Sequence, residues 1–416
     1  MPKKIYLDYA ATTPVAKEVL NEMLPYFSER YGNAMSVHSF GQEALQAIDN
    51  ARERTADFFG ASPSEIIFTS GATESNNLAI KGVIKSHYSN LKNKNTKPHI
   101  ITTVFEHHCV LNACETVEKD GLAEITFIQP KKDGVIDVRD IKKAIRDNTI
   151  LISVMYVNNE IGTVQPIEKI GALLKKENKS RVEKGLPLII FHTDATQAVN
   201  YFNCDVNNLG VDLLSMSAHK IYGPKGIGAL YIRKGTAIKH IQDGGDQEYK
   251  MRAGTHNVPG IVGLGKAVSM IKTEKTQKKN AEMMELRNYL IQRMLKEIPK
   301  SRLNGSTIKR SPNNANFSFK DVEGEGLLLS LDMEGIACST GSACSSGALS
   351  PSHVLLSIGL QPEDAHGSLR ITLGKNTTKK DIDAAVEKIK TIVERLRKIS
   401  GKVLEEFYYQ TKQNPA

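Results

Sequence analysis

Lys220 sits in the run Ser217-Ala218-His219-Lys220-Ile221-Tyr222-Gly223-Pro224, directly after the mostly apolar stretch Val211 to Met216. That stretch reads as a buried strand. A lysine where such a strand ends, beside small residues and a Gly-rich turn, is poorly explained as a solvated charge. Held in a partly dry pocket, its amine loses basicity and becomes a nucleophile able to form a Schiff base. Three more loops place polar groups after apolar strands. In Thr69-Ser70-Gly71-Ala72-Thr73-Glu74, Ala72 and Thr73 open a predicted helix and offer backbone N–H groups and a hydroxyl to an anion. A plain Ser/Thr helix cap has the same signature. In Glu106-His107-His108, a histidine could stack on an aromatic group or carry a proton. Adjacent histidines point in different directions, which predicts only one of them in a site. In Asp194-Ala195-Thr196-Gln197, a carboxylate follows a buried strand and needs a charged or N–H partner. Ser217 and His219 add a hydroxyl and an imidazole to the anion site.

A phosphate cradle, a buried aspartate, a stacking histidine and a buried lysine together describe a site for pyridoxal 5'-phosphate. In such a site lysine holds the cofactor as a Schiff base. Aspartate keeps the pyridine nitrogen protonated, and the ring becomes an electron sink.

The sequence also resembles a known family. The runs Tyr6-Leu7-Asp8-Tyr9-Ala10-Ala11-Thr12-Thr13-Pro14, Ser70 to Asn77, Asn158-Asn159-Glu160-Ile161-Gly162, Asp194 to Gln197 and the Lys220 run look like those of the cysteine desulfurases. These are class V pyridoxal-phosphate enzymes of aminotransferase fold type I, and the resemblance covers nearly the whole chain. It implies an enzyme that takes sulfur from L-cysteine, leaving L-alanine and an enzyme-bound persulfide. It further implies that Lys220 holds the cofactor, that His107 stacks on its ring and moves protons, and that Asp194 pairs with the pyridinium nitrogen. Gln197 would bond the phenolic oxygen, and Ala72, Thr73, Ser217 and His219 would cradle the phosphate. Thr255 matches a position that reaches the phosphate of a neighbouring subunit, which implies a homodimer. Asn158 and Arg370 would hold the substrate carboxylate, a role that suits the bidentate fork of arginine.

Sulfur transfer needs a thiol. Cys344 lies in Gly341-Ser342-Ala343-Cys344-Ser345-Ser346-Gly347, a run of small residues with almost nothing to form a core, which predicts a mobile loop. The run resembles the catalytic loop of the NifS/IscS-like group. Cys114 and Cys204 lie in ordinary helix or strand patterns and read as small core residues, and Cys338 reads as a bystander or a resolving thiol, the bystander being favoured. The resemblance implies a cysteine desulfurase feeding iron–sulfur cluster assembly or a thiolation path through a scaffold or sulfur-acceptor protein. A selenocysteine lyase or another class V aminotransferase-type enzyme is the rival on the same scaffold.

Positioning these groups requires an α/β framework. From Ser62 to Ile232 short apolar strands alternate with helical patterns, which predicts a mostly parallel sheet covered on both faces. The segment Ala218 to Ile227 is too short for a crossover helix, so the strand Gly228–Ile232 is predicted antiparallel. After Val258 long charged helices and a few strands predict a smaller α+β domain. The expected division is a large cofactor-binding domain over 15–258, with 1–14 and 259–416 forming the small domain that carries the cysteine loop. A helix around Val15–Glu29 is expected to pack on that small domain.

Length and composition agree with this. A chain of 416 residues, 40% hydrophobic and 24% charged, can bury a sizeable core. Its apolar runs are too short to span a bilayer, and no apolar segment with a cleavage site follows the basic N-terminus. A cytoplasmic protein is expected. The net charge of +9 is spread along lysine-rich helices and connectors rather than focused, so no stable nucleic-acid binding is expected. Five cysteines without a C-x-x-C pair argue against both a disulfide framework and a structural zinc site.

Overall fold

Apolar runs too short for helices, punctuated by glycine and polar turns, form the strands that carry the site. The computed structural model describes residues 4–90, 97–271, 274–340 and 351–413, with the backbone alone at 90, 274–276 and 401–413. The chain begins with β1 (Ile5–Tyr6). It continues through β2 (Ile66–Thr69), β3 (His99–Thr103), β4 (Glu124–Ile128), β5 (Thr149–Ser153), β6 (Ile190–Asp194), β7 (Leu213–Ser217) and β8 (Gly228–Ile232). The last seven form one sheet in the order β2-β8-β7-β6-β5-β3-β4. Strands β3 to β7 run parallel, and β8 alone is antiparallel to both of its neighbours. Every residue of β2, β3, β5, β6 and β7 is buried, as expected for a sheet with helices on both faces. Those helices include Ala72–Asn90, His108–Lys119, Val138–Ala144 and Ile167–Glu183.

The later chain forms β9 (Ser301–Asn304), β10 (Asn314–Phe319), β11 (Ile336–Ala337) and β12 (Ser368–Thr372). An antiparallel sheet β12-β10-β9 packs against the helices Glu274–Glu297, Gly324–Met333 and Lys379–Gln413. It has its own core, which includes Leu290, Phe317, Leu327, Ile371 and Ile389. Burying a ring such as Phe317 contributes roughly 1.5–3 kcal/mol. Strand β1 pairs in parallel with β11, and Leu7 enters this second core, so the two ends of the chain meet.

Three features differ from the sequence expectations. The helix expected over Val15–Glu29 is two short helices, Lys17–Met23 and Pro25–Ser28. Pro25 has no N–H to continue the first and suits the first turn of the second. Val19 and Met23 bury their side chains in the core of the seven-stranded sheet, not in the smaller one. They meet the helix Val258–Ser269, where Gly263 makes room: a Cβ there would lie 2.6 Å from the Met23 sulfur. That same helix belongs to the larger core, although the expected division ends the larger part at 258. Finally, the helix Ser39–Phe59 has no counterpart in the sequence reading. Its buried face combines Ala44, Ala47, Ala51 and Ala56 with Ile48, Phe58 and Phe59.

Candidate active site

Four loops at the carboxyl ends of sheet strands converge on one cavity of about 590 Å³. This is where ligands bind in open α/β sheets. Its wall includes Ala72, Thr73, His107, Asp194, Gln197, Ser217, His219, Lys220 and Arg370. The N-terminal segment Ala10 to Thr12 closes another side.

The anion end is built at the junction of β2 and the helix Ala72–Asn90. Gly71 has φ +154°, a region that favours glycine. Its Cα lies so close to β8 that a Cβ on Gly228 would stand 2.7 Å from it. This contact joins the loop to the end of β7, which brings Ser217 beside Gly71. The Ala72 and Thr73 N–H groups lie in the first turn of a 19-residue helix, where the dipole favours an anion. Glu74 also lines the cavity, but its carboxylate accepts from Ser70 N–H at 2.7 Å and from Arg252 Nε at 3.0 Å. His219 bonds Thr12 Oγ1 through Nδ1 at 3.1 Å. Burial, reinforced by Lys220 and Lys225, pushes this imidazole down to about 4, so it is neutral near pH 7.

Lys220 follows β7 in a single helical turn. Its Nζ donates to the carbonyls of Ala10 at 2.6 Å and Ala11 at 2.7 Å. Gln197 Nε2 donates to the same Ala10 carbonyl at 3.0 Å. The N-terminal segment therefore fixes both the amine and the amide.

Asp194 ends β6 and is 6% exposed. Its Oδ1 accepts from Thr196 N–H at 2.9 Å, and its Oδ2 accepts from the Asn76 amide at 2.7 Å. These are the N–H partners that a buried carboxylate requires. His107 caps the helix His108–Lys119, its Nδ1 accepting from Cys109 N–H at 3.2 Å. Burial lowers the pKa of this imidazole.

Arg370, on β12, is 4% exposed. Its guanidinium donates to Asp8 Oδ1 at 2.9 Å and to the Asn159 carbonyl at 3.1 Å, while Nε is buried without a partner. Asn158 stands one layer behind the wall. Its amide donates to the Phe105 carbonyl and its oxygen accepts from Glu160 and Ile161 N–H, so the side chain holds the turn rather than facing the cavity. Thr255 is exposed and outside the cavity wall. Cys344 lies outside the described residues. Cys338, which is described, has its thiol pushed up to about 12 by burial, in keeping with a bystander.

The wall also includes His108, Cys109, Glu160 and His353, to which the sequence assigns no role. Both His107 and His108 line the cavity, against the expectation that only one would. His108 follows the cap on the first turn of the helix and meets the His353 ring at 4.7 Å. His353 Nε2 bonds the Glu106 carbonyl at 2.9 Å. Glu160 is buried and accepts from the Ser352 hydroxyl. Burial pushes its carboxyl up to about 7. Its place in Asn158-Asn159-Glu160 was the available signal.

Known proteins match this chain in sequence and in fold. Residues 5–385 match the family model described as aminotransferase class-V. The chain is 51% identical over 400 residues to the cysteine desulfurase IscS of Dictyoglomus turgidum, covering 96% of this chain and 97% of that one. A solved structure titled NifS-like protein superposes with a TM-score of 0.85 at 35% identity, over 94% of this chain and all of the other. A second, titled SspA in complex with cysteine, gives 0.76 at 39% identity over 90% of this chain and 100% of its own. Fold and sequence thus agree, and the chain belongs to the aminotransferase class-V family, in its cysteine desulfurase group.

Proposed function

We propose that this protein is a pyridoxal 5'-phosphate-dependent cysteine desulfurase that converts L-cysteine to L-alanine and receives the sulfur on Cys344 as a persulfide. The observation that carries the thiol assignment is the anchoring of the chain on either side of Cys344. Ser339 exchanges backbone hydrogen bonds with Arg370, and beyond the segment Ser352 bonds Glu160 and His353 lines the cavity. Both flanks of the run that contains Cys344 are held at one cavity.

The residues present fit the cofactor. The wall combines an amine, a buried carboxylate with N–H partners, and a helix N-terminus beside two hydroxyls. Thr196 Oγ1 is buried in it without a partner. In this reading Ala72, Thr73, Ser217 and His219 hold the phosphate, and Asp194 and Gln197 hold the ring. When bound, the cofactor supplies an electron sink for the carbon skeleton of the substrate. Arg370 binds the substrate carboxylate. The Lys220 amine removes the α-proton, and His107 orients the reacting groups. The Cys344 thiolate forms a bond to the substrate sulfur as the carbon–sulfur bond breaks, with the electron pair passing to carbon. Protonation then completes alanine.

A homodimer is part of the proposal, with Thr255 on an exposed segment available to a second copy. The sulfur passes to an acceptor protein for iron–sulfur cluster assembly or thiolation in the cytoplasm. Among the described residues no helix is long and apolar enough to cross a membrane. The test is to supply L-cysteine with a reductant and follow alanine and sulfide. Cys344→Ala is expected to lose both products, and wild-type rates in that variant would refute the persulfide route.

A further inference from the structure

Cys109 lines the same cavity and has no part in the sulfur-transfer scheme. Its Sγ lies 3.0 Å from Nδ1 of His107 and 3.0 Å from Nδ2 of Asn76. The same amide nitrogen donates to Asp194 Oδ2 at 2.7 Å. An NH2 group has two hydrogens, and these two acceptors use both. The amide cannot be turned over, because its oxygen would then face the carboxylate. Asn76 Oδ1 is instead left buried without a partner. Such an unmet acceptor has a cost, and a functional arrangement is a reason to retain it.

The other end of this chain of contacts sets the state of the histidine. The backbone N–H of Cys109 donates to His107 Nδ1 at 3.2 Å. An N–H can only donate, so Nδ1 presents a lone pair and the proton of the neutral ring sits on Nε2. Burial, with Asp194 adding to it, pushes the Cys109 thiol up to about 12. It therefore stays S–H near neutral pH and is not a second sulfur acceptor. A protonated thiol can donate to Nδ1 while its sulfur accepts from Asn76. The ring's hydrogen bonds among the described residues both use Nδ1, which leaves Nε2 to serve the cavity.

We propose that Cys109 is a positioning residue for His107: its backbone N–H selects the Nε2–H tautomer, and its thiol, fixed by Asn76 and sharing the Nδ1 lone pair, holds the ring so that it meets the cavity as a hydrogen-bond donor and leaves proton abstraction to Lys220. The inference rests on the reading of this cavity as the active site of a cysteine desulfurase. It ties the carboxylate on one side of the cavity to the histidine on another through a single amide. Alanine at 109 would keep the backbone donor and lose the sulfur contact, while serine would keep a group that both donates and accepts.

The test is nitrogen-15 NMR of the holoenzyme labelled at histidine, with the His107 signals identified by their loss in His107→Gln. The expected wild-type ring has a protonated Nε2 and an unprotonated Nδ1. Cys109→Ala and Asn76→Ala are expected to shift the Nδ1 resonance. Cys109→Ala should also lower kcat for cysteine about ten-fold with KM unchanged, and Cys109→Ser should recover most of that loss. A wild-type proton on Nδ1, or a Cys109→Ala variant with the wild-type resonance and kcat, would overturn the proposal. If the proposed function is wrong, wild-type protein will release no alanine from cysteine. The ring-proton measurement does not depend on turnover, so the two failures are told apart.

Discussion

Ser339 and Arg370 exchange two backbone hydrogen bonds, Arg370 N–H to Ser339 O at 2.6 Å and Ser339 N–H to Arg370 O at 3.2 Å. The strand that presents the guanidinium to the cavity is therefore the strand that anchors the approach to Cys344. Substrate binding and thiol delivery share one piece of backbone. Side-chain changes at Arg370 leave these main-chain bonds intact, so they probe the guanidinium alone.

Arg370→Lys keeps the charge but loses the planar fork. Losing a charge-assisted hydrogen bond costs about 1.5–3 kcal/mol, which predicts a fall of about 10- to 100-fold in kcat/KM for cysteine, mainly through KM. Steady-state kinetics of alanine release measures this. An unchanged KM would remove Arg370 as the carboxylate partner.

Gly228→Ala tests the contact between the anion loop and the sheet. The added Cβ would stand 2.5 Å from the Met216 carbonyl and 2.7 Å from Gly71 Cα, and both are backbone atoms. Overpacking of this kind costs about 1–3 kcal/mol. Urea unfolding is expected to show that loss, and titration with the cofactor is expected to show weaker binding. Wild-type cofactor affinity in a destabilised variant would separate the cradle from this contact.

Glu106→Gln tests a buried acid behind His107. Glu106 is fully buried, with Oε1 accepting from Thr103 Oγ1 and Met155 N–H and Oε2 without a partner. Burial raises its carboxyl to about 8. In the unfolded chain a glutamate ionises near ~4.3. Between these values the folded state binds more protons than the unfolded one. The contribution of Glu106 to stability is therefore full below ~4.3 and is lost as pH rises through about 8. Glutamine mimics the neutral acid and does not titrate. The variant's Tm should fall less than that of the wild type between pH ~5 and ~8.5. Parallel Tm curves would exclude Glu106 as the titrating group.

Much of the framework could be read from residue pattern alone. Strand β8 has the expected bounds, and its antiparallel direction follows from the shortness of Ala218 to Ile227. Asp194, His107 and Lys220 stand out because polar groups after apolar strands need an explanation. The misses have physical causes. The helix Ser39–Phe59 lies ahead of the strand–helix alternation from Ser62 to Ile232 that reveals the sheet. Asn158 belongs to a recognisable motif, but its amide is consumed by the turn it stabilises. His353 and Cys109 reach the cavity through tertiary packing and the first turn of a helix, and neither is marked by composition. Asn76 was seen only as part of a helix start, yet it bridges two strand-end loops.

The first residues of the chain complete the wall around Lys220, and they are held by some of the last. Ala10 N–H bonds Thr372 Oγ1 across 362 positions, and Asp8 pairs with Arg370 across the same interval. The N-terminal segment has mid-chain partners in Gln197, His219 and Lys220, and β12 adds the most distant ones. The segment whose Ala10 and Ala11 carbonyls hold the Lys220 amine is tied down from its other side when β12 docks. Contacts of such long range form late in folding. A chain made only through Lys220 therefore carries that segment without its Thr372 and Arg370 anchors, and the pocket wall is completed only when Arg370 is added.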